Sequence, residues 1–210
     1  MNRTIFLVDG FNLYHSTRDI GGDFGGLRVK WLNIHSLCRS FLPLISKDAR
    51  LEHIYYFSAY AFHLNDPDVI LRHKNYIKCL EETGITPELG RFKPKEIECP
   101  HCNKQIQRYE EKETDVAIGV KLFEVFHKNE CDTAALMTGD TDLAPAIRAT
   151  KHIFPNKSII FLFPYKRKNS ELAQIVSASF KLHKDSYLRH QFPNPVILSD
   201  GTQIQKPTSW

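Results

Sequence analysis

Four aspartates stand where apolar segments of the sequence end or begin. Asp9 follows the run RTIFLV, and Asp140 and Asp142 follow the run TAALM. Asp115 opens the apolar segment TDVAIGVKLFEVF. Carboxylates gathered in one place repel one another, and their pKa values rise unless a cation offsets the charge. Mg²⁺ and Mn²⁺ prefer oxygen ligands, and such an ion activates water and polarises a phosphoryl oxygen. If the fold brings the aspartates together, they point to metal-assisted hydrolysis of a phosphodiester.

Each aspartate also has an explanation that needs no metal. Asp140 or Thr141 suits the N-cap of the following helix, where a side-chain oxygen accepts backbone N–H groups. Asp142 and Asp115 lie in first helical turns, where the helix dipole favours a negative charge. Asp9 precedes a glycine, as turn residues often do. Both explanations stay open for each residue alone, whereas four acids at one functional edge favour a shared site.

The surrounding segments predict a fold that would position these residues. Strand-like and helix-like patterns alternate, and the strand-like runs are continuously apolar. Both features are typical of an open α/β sheet that is mostly parallel, with helices on both faces in three layers, α/β/α. Ligands bind such sheets beyond the carboxyl ends of the strands. If the first and fourth predicted strands are neighbours, Asp9, Asn12 and Thr138 meet the other acids at that edge.

The pattern gives six strands and five helices. The predicted strands are 3–9, 52–60, 86–93, 133–139, 157–164 and 180–185, of which the third and the last are short. The predicted helices are 29–45, 67–84, 114–128, 141–153 and 170–179. Gly84 is expected to cap the second helix at its C-terminus, and the glycine-rich segment 21–26 is expected to be a flexible loop.

The composition fits one domain, residues 1–185 with an insert at about 94–111, followed by an extended tail at 186–210 that is packed on the domain or free. The hydrophobic content of 42% allows a sizeable core, and a net charge of +4 permits an anionic partner without requiring one. The first apolar run is too short for a signal peptide, and no run approaches the roughly 20 residues of a membrane span. The five scattered cysteines suit a reducing cytoplasm better than a disulfide framework.

The insert carries the motif CPHC, in which Cys99 and Cys102 form half of a zinc site. A second cysteine pair at matching spacing is absent from the sequence. His101, His127, Cys131 or a second subunit would have to complete the site. The alternative is a pair of thiols in a tight turn without metal.

Basic and aromatic residues suggest a nucleic-acid interface around the acids. Lys166, Arg167 and Lys168 follow the fifth predicted strand and are expected at the same edge, where a phosphate backbone would meet them. Four further basic residues could extend this track: Arg28, Lys30, Lys93 and Lys95. Ordinary solvated charge is the alternative for any one of them. Three aromatic residues could stack on unpaired bases, or else pack at the core or rim: Tyr14, Phe24 and Tyr165.

The blocks IFLVDGFNLYHS, EKETDVAIGVKL and AALMTGDTDLAPAI resemble the NYN domain, in the LabA-like (DUF88) group of PIN-like nucleases. The resemblance covers roughly residues 3–185 and implies a PIN-like, Rossmannoid fold with a metal-dependent ribonuclease site. It implies metal ligation by Asp9, Asp115, Asp140 and Asp142, with Asn12 and Thr138 in supporting roles. A small zinc knuckle in the insert, at Cys99 and Cys102, is also consistent with this group.

The leading hypothesis is therefore a Mg²⁺- or Mn²⁺-dependent ribonuclease that acts on single-stranded or structured RNA, as a monomer or a homo-oligomer. A non-catalytic RNA-binding or regulatory module is the first alternative. A phosphohydrolase of small phosphoesters is the second alternative, but a phosphoenzyme route needs an acid two residues after Asp9, where Phe11 stands.

Overall fold

The computed structural model describes residues 1–98, 102 and 105–210. Within them, a seven-stranded sheet forms the centre of the domain, in the order β4-β3-β2-β1-β5-β6-β7. All neighbouring pairs are parallel except β3 and β4. The strands are β1 (Asn2–Asp9), β2 (Ala49–Ala59), β3 (Thr86–Glu98), β4 (Gln105–Lys112), β5 (Thr133–Met137), β6 (Ser158–Phe163) and β7 (Ala178–Lys181).

β1 occupies the middle of the sheet, between β2 and β5. Its residues contribute alternately to two hydrophobic cores, one on each face of the sheet. A strand buried on both faces must be apolar throughout, which explains its continuous run. Asp9 pairs with Phe57 of β2, and Val8 pairs with Met137 of β5. The carboxyl ends of these three strands therefore meet at one edge, which we call the carboxyl edge.

Helices cover both faces, and the predicted three-layer α/β/α class is confirmed. They are α1 (Gly10–Asp23), α2 (Ile34–Ile45), α3 (Pro67–Glu82), α4 (Thr114–His127), α5 (Ala144–Ile153), α6 (Ser170–Ile175) and α7 (Lys184–Arg189). One core packs against α1, α2 and α3, and the other against α4, α5 and α6. Among the helices in the described part of the chain, none has both the length and the apolar character needed to cross a membrane.

The first helix corrects the sequence prediction, which places a flexible loop at 21–26 and no helix before it. α1 continues to Asp23, and left-handed backbone occurs only afterwards, at Gly25 and Gly26. Two of the buried side chains of the helix are the hydroxyls of Ser16 and Thr17, which donate to carbonyls one turn earlier. A buried stripe that includes polar residues gives little hydrophobic periodicity, so the pattern does not reveal the helix.

α2 begins later than the predicted start at residue 29. Asn33 is its N-cap, and its side-chain oxygen accepts a hydrogen bond from the Ser36 backbone N–H at 2.9 Å. Trp31 lies before the helix and is fully buried. Its apolar character, rather than helical structure, places it on the predicted helical stripe.

β3 extends five residues beyond the strand predicted at 86–93. Its first five residues pair with β2, and residues 91–98 pair antiparallel with β4. We call residues 91–112 the β3–β4 arm. Phe92 anchors the arm, since its ring lies 5.5 Å from that of Phe11 and 4.3 Å from that of His63. Most of the arm residues whose burial is described are exposed and polar, so their strand pairing leaves no apolar run in the sequence.

The segment 186–210, expected to be an extended tail, contains the end of α7 and a small hairpin. The hairpin strands are β8 (Val196–Ile197) and β9 (Gln203–Ile204). Phe192 is buried in the same core as α1, α2 and α3. The Trp210 ring lies 6.1 Å from the Trp31 ring, so the segment packs against that core.

Candidate active site at the carboxyl edge

Asp9 is buried where β1 ends and α1 begins, and it is the N-cap of that helix. Its Oδ1 accepts a hydrogen bond from the Asn12 backbone N–H, and its Oδ2 accepts one from the Thr138 hydroxyl, both at 2.9 Å. A Cβ at Gly10 would lie 2.6 Å from the Phe57 carbonyl oxygen, so only glycine fits this turn. The sharp turn and the two hydrogen bonds fix the carboxylate in place.

The loop after β5 is tied to the start of α1. The Gly139 backbone N–H donates to Asn12 Oδ1 at 3.1 Å, and the Asp140 backbone N–H donates to Thr138 Oγ1 at 3.1 Å. Since the Thr138 hydroxyl also donates to Asp9, both of its hydrogen-bonding directions are used. Asn12 and Thr138 therefore join the two loops that carry Asp9 and Asp140.

Asp140 and Asp142 lie at the entrance to α5. Asp140 is the N-cap of a short 3₁₀ turn, Thr141–Leu143, and its Oδ1 accepts a hydrogen bond from the Asp142 backbone N–H at 3.0 Å. The capping explanation therefore holds for Asp140, which nevertheless also lies beside Thr138 at the carboxyl edge. Asp142 is exposed. Capping and participation in an acidic site are compatible for the same carboxylate.

Asp115 lies half-buried in the first turn of α4, and the structure adds an acid that the sequence prediction misses. Glu111, near the end of the β3–β4 arm, accepts hydrogen bonds from the backbone N–H and the hydroxyl of Thr114. Its charge acts on both Asp9 and Asp115. The acidic run EEKETD, which leads into α4, is the only sequence signal, and the pairing of β4 decides which of its acids faces the site.

The electrostatics of the site disfavour full ionisation of these acids. Burial raises the pKa of Asp9 to about 6, and the charges of Asp140 and Glu111 act in the same direction, against the hydrogen bonds of Asn12 and Thr138. Burial also raises the pKa of Asp115 to about 6, assisted mainly by the charges of Asp140 and Asp9. The site thus holds more negative charge than its own hydrogen bonds offset.

The donor chemistry of the site fits a hard divalent cation. Asp9, Asp115 and Asp140 offer carboxylate oxygens, which Mg²⁺ and Mn²⁺ prefer, and the excess negative charge favours a cation. Among the described residues, no three Asp, Glu, His or Cys side chains are placed to hold one ion as they stand. Binding of one ion by three carboxylates therefore requires side-chain rotation.

Two of the three basic residues after β6 neutralise acids of α1. Lys166 Nζ lies 2.6 Å from the Asp23 carboxylate, and Arg167 Nη2 lies 2.6 Å from that of Asp19. A Cβ at Gly139 would overlap the Arg167 carbonyl oxygen. The loop after β6 therefore closely approaches the loop after β5, which carries Asp140. The structure thus brings these residues beside the acids, but Lys166 and Arg167 are engaged in ion pairs. Lys168 is exposed.

The two candidate lysines of the β3–β4 arm, Lys93 and Lys95, are also engaged with acids. Lys95 Nζ lies 2.6 Å from Glu110, and Lys93 Nζ lies 3.7 Å from Glu113. The four side chains are between 32% and 54% exposed, so these ion pairs contribute little to stability. The arm therefore presents mixed charge rather than a continuous basic surface.

The remaining basic and aromatic candidates lie around the first helix. The Arg28 guanidinium donates to the Thr208 carbonyl, and Lys30 Nζ lies 5.1 Å from the centre of the Tyr14 ring. Tyr14 is 43% exposed. The Phe24 and Tyr165 rings pack against each other at 6.0 Å. Tyr14 and Lys30 thus form one basic and aromatic surface, separate from that of Phe24.

The zinc hypothesis rests partly on residues beyond those described. Cys99 and His101 lie outside the described residues, and Cys102 is an exposed thiol. His127 ends α4, which starts at the carboxyl edge and runs back across the sheet, and Cys131 is buried just before β5. Both residues lie near the amino ends of the parallel strands, whereas the arm extends from their carboxyl ends. Neither residue can therefore complete a site with Cys102.

The family model of the NYN domain matches residues 3–181. The chain belongs to this family, which is part of the PIN-like nuclease superfamily. A search of curated proteins finds no match.

Among solved structures, the chain is similar to a protein of unknown function from Vibrio parahaemolyticus. The TM-score is 0.56 at 16% sequence identity, with 88% of this chain and 94% of that chain covered. At this identity the likeness shows a common fold. MurG from Acinetobacter baumannii gives a TM-score of 0.39 at 8% identity, with 92% of this chain and 43% of that chain covered, which supports no functional argument.

Proposed function

We propose that this protein is a metal-dependent ribonuclease, which hydrolyses RNA phosphodiester bonds at the carboxyl edge. The observation that carries the proposal is the convergence of Asp9, Asp115 and Asp140 from three distant segments. Burial and mutual repulsion raise the pKa values of Asp9 and Asp115 to about 6, so the charged forms of both carboxylates cost free energy in the folded protein. Such perturbed acids cluster at functional sites. Membership of the NYN family supports nucleic acid as the substrate class.

The chain's own residues have distinct roles in this proposal. Asp9, Asp115 and Asp140 would hold Mg²⁺ or Mn²⁺, with the exposed Asp142 as a weaker contributor. A bound ion of this kind lowers the pKa of water and polarises a phosphoryl oxygen. Thr138 and Asn12 hold the Asp9 carboxylate and the loop that carries Asp140 in fixed relative positions through the hydrogen bonds described above.

Two finer assignments accompany this proposal. The blocks around Asp9, Asp115 and Asp140 favour the LabA-like (DUF88) group within the NYN family. The buried, unpaired thiols of Cys38 and Cys131 suit a reducing compartment, so we infer that the RNA substrate is cytoplasmic.

The test is cleavage of labelled single-stranded and structured RNA in the presence of Mn²⁺. We expect Asp140→Asn to be slowed at least about 100-fold relative to wild type, because a lost metal contact removes transition-state stabilisation of several kcal/mol. Asp142→Asn is the matched control, and its rate should fall by less than about tenfold. Thermal unfolding verifies that both variants are folded.

Two results would refute the proposal. One is the absence of wild-type cleavage on every RNA tested, and the other is equal cleavage by wild type and Asp140→Asn. RNA binding with a steep salt dependence but no cleavage would instead establish the non-catalytic module.

A further inference from the structure

A cavity of about 820 Å³ opens beside the acids. It lies between α1, α3 and the β3–β4 arm, and Trp210 forms part of its wall. Its size falls within the roughly 300–1,000 Å³ of small-molecule sites. Gly10 and Glu111 belong both to this wall and to the site at the carboxyl edge. A nucleic-acid strand bound at the aspartates would therefore lead directly into the cavity.

The wall of the cavity favours an anionic group. Arg18, Lys30 and Arg72 line it, whereas Glu111 is the one acid among the described residues of its wall. Burial lowers the pKa of His73, also in the wall, to about 4, so this imidazole is neutral at pH 7. A smaller cavity of about 260 Å³ shares Arg18 and Lys30 and adds Arg28. The positive lining therefore continues away from the acids.

The same wall offers surfaces for a planar ring. Tyr14 is 43% exposed and carries Lys30 over its face. The His63 ring stacks on Tyr109 at 4.7 Å and lies 4.3 Å from the Phe92 ring. Within the described part of the chain, His63 Nδ1 is buried without a hydrogen-bond partner.

We propose that this cavity, called here the nucleotide pocket, binds one unpaired nucleotide of the RNA strand next to the scissile phosphate. The base lies among Tyr14, Phe92 and His63, and its phosphate contacts Arg18 and Lys30. Aromatic stacking and arginine–phosphate contacts are the usual means of holding unpaired nucleotides. A base can enter only if it is not paired, so the pocket selects single-stranded RNA. This inference rests on the proposed ribonuclease function.

The test measures equilibrium binding in EDTA, where no metal-dependent cleavage occurs. Titration calorimetry compares adenosine 5′-monophosphate, adenosine and inorganic phosphate with the oligonucleotide hexaadenylate. We expect the monophosphate to bind at least about tenfold more tightly than adenosine or phosphate, and hexaadenylate more tightly still. If hexaadenylate binds no better than the monophosphate, the pocket takes free nucleotides and the assignment to an RNA strand is wrong.

Variants tie the binding to the pocket. Tyr14→Ala and Arg18→Gln alter exposed side chains of its wall and should each weaken hexaadenylate binding about tenfold, which is about 1.4 kcal/mol. Phe123→Ala, at 39% exposure on α4, and Arg39→Gln, exposed on α2, are matched controls and should stay within twofold. Equal affinities for the pocket variants and their controls would overturn the pocket.

The two proposals fail separately. If Tyr14→Ala loses hexaadenylate binding and wild type cleaves no RNA, the pocket proposal stands and the ribonuclease proposal is refuted. Cleavage that depends on Asp140, with unchanged binding in Tyr14→Ala and Arg18→Gln, refutes the pocket and retains the ribonuclease.

Discussion

The buried Asp9 carboxylate should destabilise the metal-free protein at neutral pH, and Asp9→Asn should relieve this cost. In the folded state the pKa of Asp9 is raised from 3.8 to about 6, so the folded state holds the proton more tightly than the unfolded state. The cost is absent below about pH 4, grows as pH rises towards 6, and is constant above that. Asparagine at this position carries no charge and therefore no such dependence.

The expected magnitude follows from two opposing terms. Raising the pKa from 3.8 to about 6 corresponds to about 3 kcal/mol at neutral pH, at about 1.36 kcal/mol for each pH unit. Asparagine can still accept from the Asn12 backbone N–H through its oxygen. Its NH₂ group cannot accept from the Thr138 hydroxyl, which costs about 1 kcal/mol. In EDTA, Asp9→Asn should thus be about 2 kcal/mol more stable than wild type at pH 7.5, and no more stable at pH 4.

Urea unfolding at both pH values measures this difference, first in EDTA and then with MnCl₂. At 100 times the dissociation constant, Mn²⁺ should stabilise wild type by about 2.7 kcal/mol at pH 7.5 and so reverse the order of the two proteins. Asp66→Asn is the matched control, because Asp66 is the exposed N-cap of α3 and accepts two backbone N–H bonds. Asparagine is an equally good cap there, so its effect should be small at either pH.

Two results would refute this reasoning. A loss of stability in Asp9→Asn that is the same at pH 4 and pH 7.5 would show that the carboxylate carries no electrostatic cost. Equal stabilisation of both proteins by Mn²⁺ would show that Asp9 does not contribute to ion binding.

Two further substitutions test other parts of the site. Gly139→Ala should destabilise the fold by about 3 kcal/mol, because the new methyl group overlaps the Arg167 carbonyl oxygen. Gly22→Ala is the control and should be neutral or slightly stabilising, because the space around Gly22 is open. Urea unfolding measures both effects. Comparable effects of the two would contradict the close approach of the loops. Glu111→Gln should weaken Mn²⁺ binding about tenfold in titration calorimetry, since the variant keeps an oxygen for Thr114 but loses charge. Glu96→Gln, four residues further out along the arm, should match wild type, and an equal effect there would indicate a general charge effect.

The parallel sheet could be predicted because its strands are short, continuous apolar runs separated by helical patterns. The position of Asp9 and Asp140 after such runs, together with the rule for carboxyl ends, placed both at one edge of the sheet. Their proximity depended on the two strands being neighbours, which the pairing of β1 with β5 decided. α1 escaped prediction because Ser16 and Thr17 are buried through bonds inside the helix, which periodicity does not register. The arm escaped because its pairing depends on backbone hydrogen bonds between exposed residues.

The sequence by itself determined the types of the acids and their places at the ends of elements, since hydrophobic pattern and turn residues are local signals. Only the tertiary structure decided which charges act on one another. Glu111 joins Asp9 and Asp115 because β4 returns along β3, and Lys166 and Arg167 are engaged because α1 places Asp23 and Asp19 beside them. Burial of Asp9 likewise requires neighbouring strands on both sides of β1, and the raised pKa of its carboxylate follows from that burial.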